Sequence, residues 1–267
     1  MIPDPERVAG FIRETAMIDI MPRFQSLATH EVIEKKPGDI VTIADREAEE
    51  RLTRMLSGLT PGTLVVGEEA THDNPALLDR LDDDVPMWII DPVDGTANFA
   101  AGRPLFAIMI AYIYKGETAG AWIYDPVRDL MAVAEHGDGA EMNGQRLRLP
   151  PVDAGEKFSG RVNFGSFPEA RRPVLRQHFT EVFALEKSMR CAGQEFLALL
   201  EGQMHFRLYN QLWAWDHAPG VLLLREAGGY AGLVRGAPYR PTTRVQALLC
   251  AHDEMSWRQL FQEMQID

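Results

Sequence analysis

The stretch Trp88-Ile89-Ile90-Asp91-Pro92-Val93-Asp94-Gly95-Thr96-Ala97-Asn98-Phe99 decides how this chain is read. It opens as an apolar run of the length of a buried strand. It then breaks at Asp-Pro and at Asp-Gly, both turn-forming pairs. Asp91 and Asp94 therefore fall at the C-terminal end of a strand, three residues apart on a tight turn. The residues after Gly95-Thr96 can begin a helix, and such a turn leaves backbone N–H groups free to face an anion.

Hard divalent cations take oxygen ligands, and Mg²⁺ is commonly held by a few carboxylates, waters and substrate phosphate. On this pattern Asp91 could bridge two metals, Asp94 could ligate one of them, and the Val93 carbonyl could add a neutral oxygen. The alternative is two successive turns with no further role. Working outward, Thr63–Val66 reads as a buried strand ending in Gly67-Glu68-Glu69. Upstream, Thr42 and Asp45 both stand where a helix N-cap belongs, before the apolar face Ala48, Leu52, Met55, Leu56. Downstream, Trp215-Asp216 precedes an apolar helix and Glu226-Ala227-Gly228-Gly229, and spacing alone makes Asp216 a helix cap.

Asp-Pro-Val-Asp-Gly-Thr resembles the signature of the inositol monophosphatase family, the Mg²⁺-dependent, lithium-sensitive phosphatases. The Lys-…-Asp-…-Val-Thr-…-Ala-Asp stretch ending at Asp45, Gly67-Glu68-Glu69, and Trp215-Asp216 with Glu226–Gly229 are similar to further motifs of that family, in order. The resemblance implies an α+β fold, the layered αβαβα sandwich of the inositol monophosphatase and fructose-1,6-bisphosphatase type. It implies an N-terminal α+β domain over 1–149 with a large antiparallel sheet, and a C-terminal α/β domain over 150–267 that supplies Asp216. It makes Glu68, Asp91, Val93, Asp94 and Asp216 the holders of two Mg²⁺, or three with one beside Glu69. Asp45, Glu69 and Thr96 would orient or deprotonate the attacking water. The family's loop lysine falls on Lys36, with Lys35 beside it as the alternative that the loop length leaves open.

Composition is ordinary for a soluble globular protein. The chain has 267 residues, 46% of them hydrophobic and 25% charged, enough for one large or two closely packed domains. A net charge of −12 disfavours nucleic acid and anionic membranes as partners. It would also repel a phosphate substrate unless bound cations reverse the local sign. Cys191 and Cys250 form no CxxC or zinc pattern and read as reduced thiols. No N-terminal signal sequence is visible, and the longest apolar run, Leu105–Tyr114, is too short to span a bilayer. The expected setting is the cytoplasm, and the resemblance implies a homodimer.

The remaining chain falls into place around the core turn. Asp4-Pro5 caps and starts a helix that Pro22 bends or ends, and Pro37-Gly38 reads as a turn. Asp79 to Asp84 reads as a solvated acidic loop. Leu105–Tyr114, Ala119–Tyr124, Leu130–Ala134 and the stretch Ala140–Gly144 are separated by short turns, which argues for antiparallel pairing. From about residue 150 the pattern alternates: a strand at Arg161–Phe164, a helix over Pro168–Leu185, an extended Lys187–Arg190, a helix over Gly193–Gly202, an extended Met204–Leu208. His217 reads as a packing residue, and Trp213 and Trp215 as core or as pocket wall.

Two stretches depart from the inositol-specific pattern, at positions 194, 195 and 209. Gly193-Gln194-Glu195 stands where those members carry Gly-Thr/Ser-Ala, and Tyr209, with Asn210 beside it, where they carry an acid that holds sugar hydroxyls. Arg190 matches the family's arginine. The substrate-binding set on this reading is Lys36, Gly95, Thr96, Arg190, Gly193, Gln194 and Tyr209. The function implied is hydrolysis of a small phosphorylated metabolite by metal-activated water. Histidinol phosphate, fructose 1,6-bisphosphate and 3′-phosphonucleotides remain open as substrates, and so does a non-catalytic metal-binding regulatory protein on the same fold.

Overall fold

The computed structural model describes residues 3–264 apart from 37–38, 151, 153–154, 156 and 245–246. The turn read at Pro37-Gly38 lies outside the described residues. Helix α1 (Pro5–Thr15) is capped by Asp4, whose side chain accepts from the N–H of Glu6, and it runs into a π-helical turn, Ala16–Ile20, ahead of Pro22. The hairpin β1 (Val32–Lys36) and β2 (Asp39–Thr42) leads into α2 (Ile43–Leu59). Next come β3 (Leu64–Gly67), α3 (Glu68–Asp73), β4 (Met87–Asp94) and the single turn α4 (Thr96–Ala100).

A meander follows: β5 (Ala107–Tyr114), β6 (Glu117–Asp125), β7 (Leu130–Glu135), β8 (Gly139–Met142) and β9 (Gln145–Arg146). Strands β3 to β9 pair in sequence order into one seven-stranded sheet. The expectation of an antiparallel sheet holds for six strands, but β3 pairs parallel to β4. The reason is the connection: a helix between two strands carries the chain back to the starting end, whereas two-residue turns reverse it.

The second half contributes β10 (Ser159–Val162), α5 (Arg172–Val182), β11 (Ala184–Leu185), α6 (Ala192–Leu200), β12 (Phe206–Tyr209), α7 (Ala214–Glu226), β13 (Tyr230–Leu233), β14 (Leu248–Ala251) and α8 (Glu254–Met264). Its five strands order β11-β10-β12-β14-β13 with mixed direction. The helix expected over Pro168–Leu185 stops at Val182 and gives way to β11. Lys187–Arg190 forms no strand.

Three cores divide the layers. Val8, Ile12, Ala48 and Leu52 of α1 and α2 pack on Trp88, Ile90 and Trp122 across one face of the large sheet. The other face, through Ile89, Met109 and Ile123, meets Leu197, Leu200, Leu223 and Leu224 of α6 and α7. Phe179, Phe206, Leu249 and Leu260 form the third, between the small sheet and α5 and α8. The order is helices, sheet, helices, sheet, helices. Alternation on β4 explains the two-sided burial: all eight of its residues are buried, and before Asp91 the odd-numbered Met87 and Ile89 face α6 and α7 while the even-numbered Trp88 and Ile90 face α1 and α2.

Candidate active site

In a regular strand residues three apart point to opposite faces. Asp91 and Asp94 would therefore diverge. Strand β4 avoids this with one extra residue: Asp91 pairs with Met109 while Asp94 pairs with Ala107. The bulge falls at Pro92-Val93, where proline has no N–H to give the ladder. Asp91 Oδ1 accepts the Val93 N–H at 3.1 Å and closes the turn. Gly95 then takes φ +88°, and a Cβ there would stand 2.8 Å from the Leu105 carbonyl oxygen. Only glycine combines that backbone with that space.

The other carboxylates arrive from three elements. Glu68 opens α3, and the fold of that turn depends on Glu49, one helical turn after Asp45 on α2. The Glu49 carboxylate accepts the N–H groups of Glu69 and Ala70 at 2.8 and 2.7 Å. A Cβ on Gly67 would collide with it. Asp216 sits in the first turn of α7, whose N-cap is Trp213, so Asp216 is not the cap. Instead His217 Nδ1 faces the Trp213 backbone, 3.2 Å from its N–H and 3.0 Å from its carbonyl. Asp45 serves two tasks at once. Its Oδ2 accepts from the Thr42 N–H and hydroxyl at 2.8 and 2.5 Å, a capping box, and its Oδ1 accepts the Thr96 hydroxyl at 2.9 Å. That hydroxyl is also 3.0 Å from the Val93 carbonyl, the oxygen read as a metal ligand.

The electrostatics show that these acids share one neighbourhood. Burial, then the charges of Glu68, Asp94 and Asp216, push the Asp91 carboxyl well above its usual range. Burial and Asp216 do the same to Glu68. Asp216 is raised by burial and Asp94, and is relieved by a hydrogen bond with Asp91. Two carboxyls can hydrogen-bond only by sharing a proton, so these acids crowd beyond what their charges allow unaided. Asp94 is raised by burial but eased by three donors: the Cys191 thiol at 3.0 Å, the Gly193 N–H at 2.5 Å and the Ala192 N–H. Asp45 rises to about 6, chiefly through burial.

A site made only of oxygen donors with excess negative charge suits a hard divalent cation. Among the described residues no three His, Cys, Asp or Glu side chains stand close enough to enclose an ion as they are. The donors thus share a volume rather than a finished coordination shell.

The structure distributes the other expected residues unevenly. Lys35, not Lys36, reaches inward: its Nζ stands 2.8 Å from Glu69 Oε1 with both side chains buried, while Lys36 is exposed. Both lysines line a cavity of about 600 Å³ that Glu68, Trp213, Trp215 and Asp216 complete. Arg190 and Tyr209 line a second cavity of about 350 Å³, beside Asp94, Cys191 and Asp216. Gly193 and Gln194 serve the wall. The Gly193 N–H holds Asp94, and the Gln194 amide donates to the Phe106 carbonyl at 2.9 Å and to Asp125 at 2.8 Å. Sequence reasoning missed Glu49 and Cys191 as site residues, and named Lys35 only as the alternative to Lys36. Glu49 had a signal, an acid on the buried face of α2 four residues after Asp45.

Fold and site together define a layered α+β protein that gathers carboxylates at the end of a bulged strand, between two halves of the chain. Comparison with known proteins names the class. A family profile, "Inositol monophosphatase family", matches residues 9–265, and the chain belongs to that family. It is 34% identical over 218 residues to the inositol-1-monophosphatase of Mesorhizobium japonicum, covering 76% of this chain and 75% of that one. It is 33% identical over 205 residues to the Nus factor SuhB of Escherichia coli (strain K12), covering 74% and 73%. The fold is that of the Thermotoga maritima IMPase: TM-score 0.79 at 22% identity, over 96% of this chain and 94% of that chain.

Proposed function

We propose that this protein hydrolyses a small phosphate monoester with Mg²⁺, transferring the phosphoryl group directly to water. The observation that carries this is the bulge that puts Asp91 and Asp94 on one side of β4, facing Glu68 and Asp216, with the Asp45–Thr96 pair adjoining. Glu68, Asp91, the Val93 carbonyl, Asp94 and Asp216 would hold two Mg²⁺, and Glu69 a third. When bound, Mg²⁺ supplies neutralisation of phosphate charge and acidifies water.

The chain's own groups do the rest. Asp45, ionised above about pH 6, takes the proton of the attacking water through the Thr96 hydroxyl. As that oxygen bonds to phosphorus, the ester P–O bond breaks and the alkoxide leaves, taking a proton from solvent. The N–H groups of Gly95 and Thr96 hold the phosphate oxygens. Lys35 fixes Glu69, and Cys191 and Gly193 fix Asp94, so that the acids keep their places. The same reading takes a cytoplasmic homodimer, which light scattering in solution tests.

The test is phosphate release, with and without Mg²⁺, from inositol 1-phosphate, fructose 1,6-bisphosphate, histidinol phosphate, 3′-phosphoadenosine 5′-phosphate and glycerol 2-phosphate. Mg²⁺-dependent turnover of at least one is expected. A second reading, a non-catalytic regulatory protein, draws support from the relatives named Nus factor SuhB. Folded protein that binds Mg²⁺ yet releases no phosphate from any of the five favours it.

A further inference from the structure

The first turn of α6 holds Asp94, and it is itself held from elsewhere. Asp94 Oδ2 accepts the Gly193 N–H at 2.5 Å and the Cys191 thiol at 3.0 Å. The fit is close: a Cβ on Gly193 would stand 2.8 Å from the Ala107 Cβ and 3.2 Å from Asp94 Oδ2. Ala107 is also the residue that pairs with Asp94 beyond the bulge of β4. A small slide of α6 along β5 therefore takes the donors off this carboxylate.

Gln194, the next residue, opposes that slide. It is 5% exposed and lines neither of the two cavities. Its amide nitrogen carries two hydrogens, and both are used. One goes to the Phe106 carbonyl at 2.9 Å, immediately before Ala107, and the other to Asp125 Oδ2 at 2.8 Å. A serine or threonine has one hydroxyl hydrogen and makes only one such bond.

Asp125, at the end of β6, is fixed in turn. It is 1% exposed, and its Oδ1 accepts the N–H groups of Val127 and Arg128 at 2.9 and 3.2 Å. Its Oδ2 also accepts Arg128 Nε at 2.6 Å. The same guanidinium reaches the other end of α6, where Nη1 lies 3.0 and 2.9 Å from the two carboxylate oxygens of Glu201, the C-cap. The turn between β6 and β7 thus grips α6 at both ends.

Building on the phosphatase reading, in which Asp94 is a Mg²⁺ ligand, we propose that Gln194 is a positioning residue for that ligand, anchored through Asp125 and Arg128 to the β6–β7 turn. It acts through α6 and touches no substrate. Groups that orient a metal ligand tune metal affinity about ten- to a hundredfold.

The experiment titrates Mg²⁺ calorimetrically into wild type and into Gln194→Met, which keeps the length of the side chain and loses both hydrogens. The same substitution is then made on Asp94→Asn and on Glu68→Gln backgrounds. Alone, Gln194→Met is expected to weaken Mg²⁺ binding about tenfold. On Glu68→Gln the factor should persist, and on Asp94→Asn it should fall below about twofold, because the ligand that Gln194 serves is gone. An affinity unchanged by Gln194→Met, or an equal loss on every background, overturns the proposal; the equal loss would show a general loosening of the fold. Arg128→Met, at the solvent end of the chain of contacts, tests it without disturbing the interior. It is expected to weaken Mg²⁺ binding about threefold, and an unchanged affinity overturns the anchoring. Wild type that binds no Mg²⁺ overturns the phosphatase reading and this assignment with it. Wild type that binds Mg²⁺ yet releases no phosphate overturns the phosphatase reading alone, since the assignment is measured by affinity.

Discussion

Two buried polar clusters meet at Asp94, and they are built in opposite ways. On the side of the large sheet, burial raises Glu68, Asp91 and Asp216, and neighbouring carboxylates add to it: Asp216 on Glu68, Glu68 and Asp94 on Asp91, Asp94 on Asp216. On the side of the small sheet, Glu195 and Arg207 pair at 2.5 Å, with Arg207 also donating to the carbonyls of Arg161 and Leu208. The second cluster satisfies every charge it buries, as a structural element must. The first leaves negative charge in excess, which is tolerable only where something outside the chain balances it. The difference separates a wall from a site more sharply than burial does, since both clusters lie deep.

Removing a charge should therefore act oppositely on the two. Asp91→Asn should cost at least about a thousandfold in kcat/KM while leaving the Tm equal or higher, because it relieves repulsion. Steady-state phosphate release and a thermal melt check both halves, and a large fall in Tm breaks the comparison. Glu195→Ala leaves the Arg207 guanidinium buried without its carboxylate and should destabilise by about 3–5 kcal/mol in urea unfolding. A change below about 1 kcal/mol there would mean that the pair is not the wall's keystone.

Thr96→Val tests the proton path alone. It removes the hydroxyl on Asp45 but keeps the shape, and kcat should fall about a hundredfold. A rate within twofold of wild type would take Thr96 out of the mechanism.

The smallest effect sharpens the comparison through pH. Burial pushes Glu49 up to about 7, above an unfolded value of 4.5. The folded state then binds more protons than the unfolded state between those values, so stability is full below 4.5 and is lost as pH rises through 7. Glu68, Asp91 and Asp216 act in the same direction. In EDTA the Tm should fall by several degrees between pH 5 and pH 8, and Mg²⁺ should recover most of it at the upper end. Glu49→Gln should flatten part of the slope. A Tm that rises across this range in EDTA would mean that the acids are not crowded.

Much of this was legible in the chain. The apolar run before Asp91 gave a buried strand, and the hairpin turns gave the meander. Thr42 and Asp45 could be read as caps because capping needs only local spacing. Lys35 and Glu69 could not be paired in advance, being 34 residues apart and joined only when the β1–β2 hairpin lies over α3. Nor could Gln194 be assigned to Asp125, or Cys191 to Asp94, across 69 and 97 residues.

The sequence by itself determined most of the elements, the tight turn at Asp91–Gly95 and the family, because strand periodicity, proline's missing N–H and glycine's open φ act within a few residues. Tertiary structure alone decided which lysine points inward, which polar groups saturate one another and which acids are left crowded. Those outcomes depend on burial and on partners brought together from distant parts of the chain, and no local pattern encodes either.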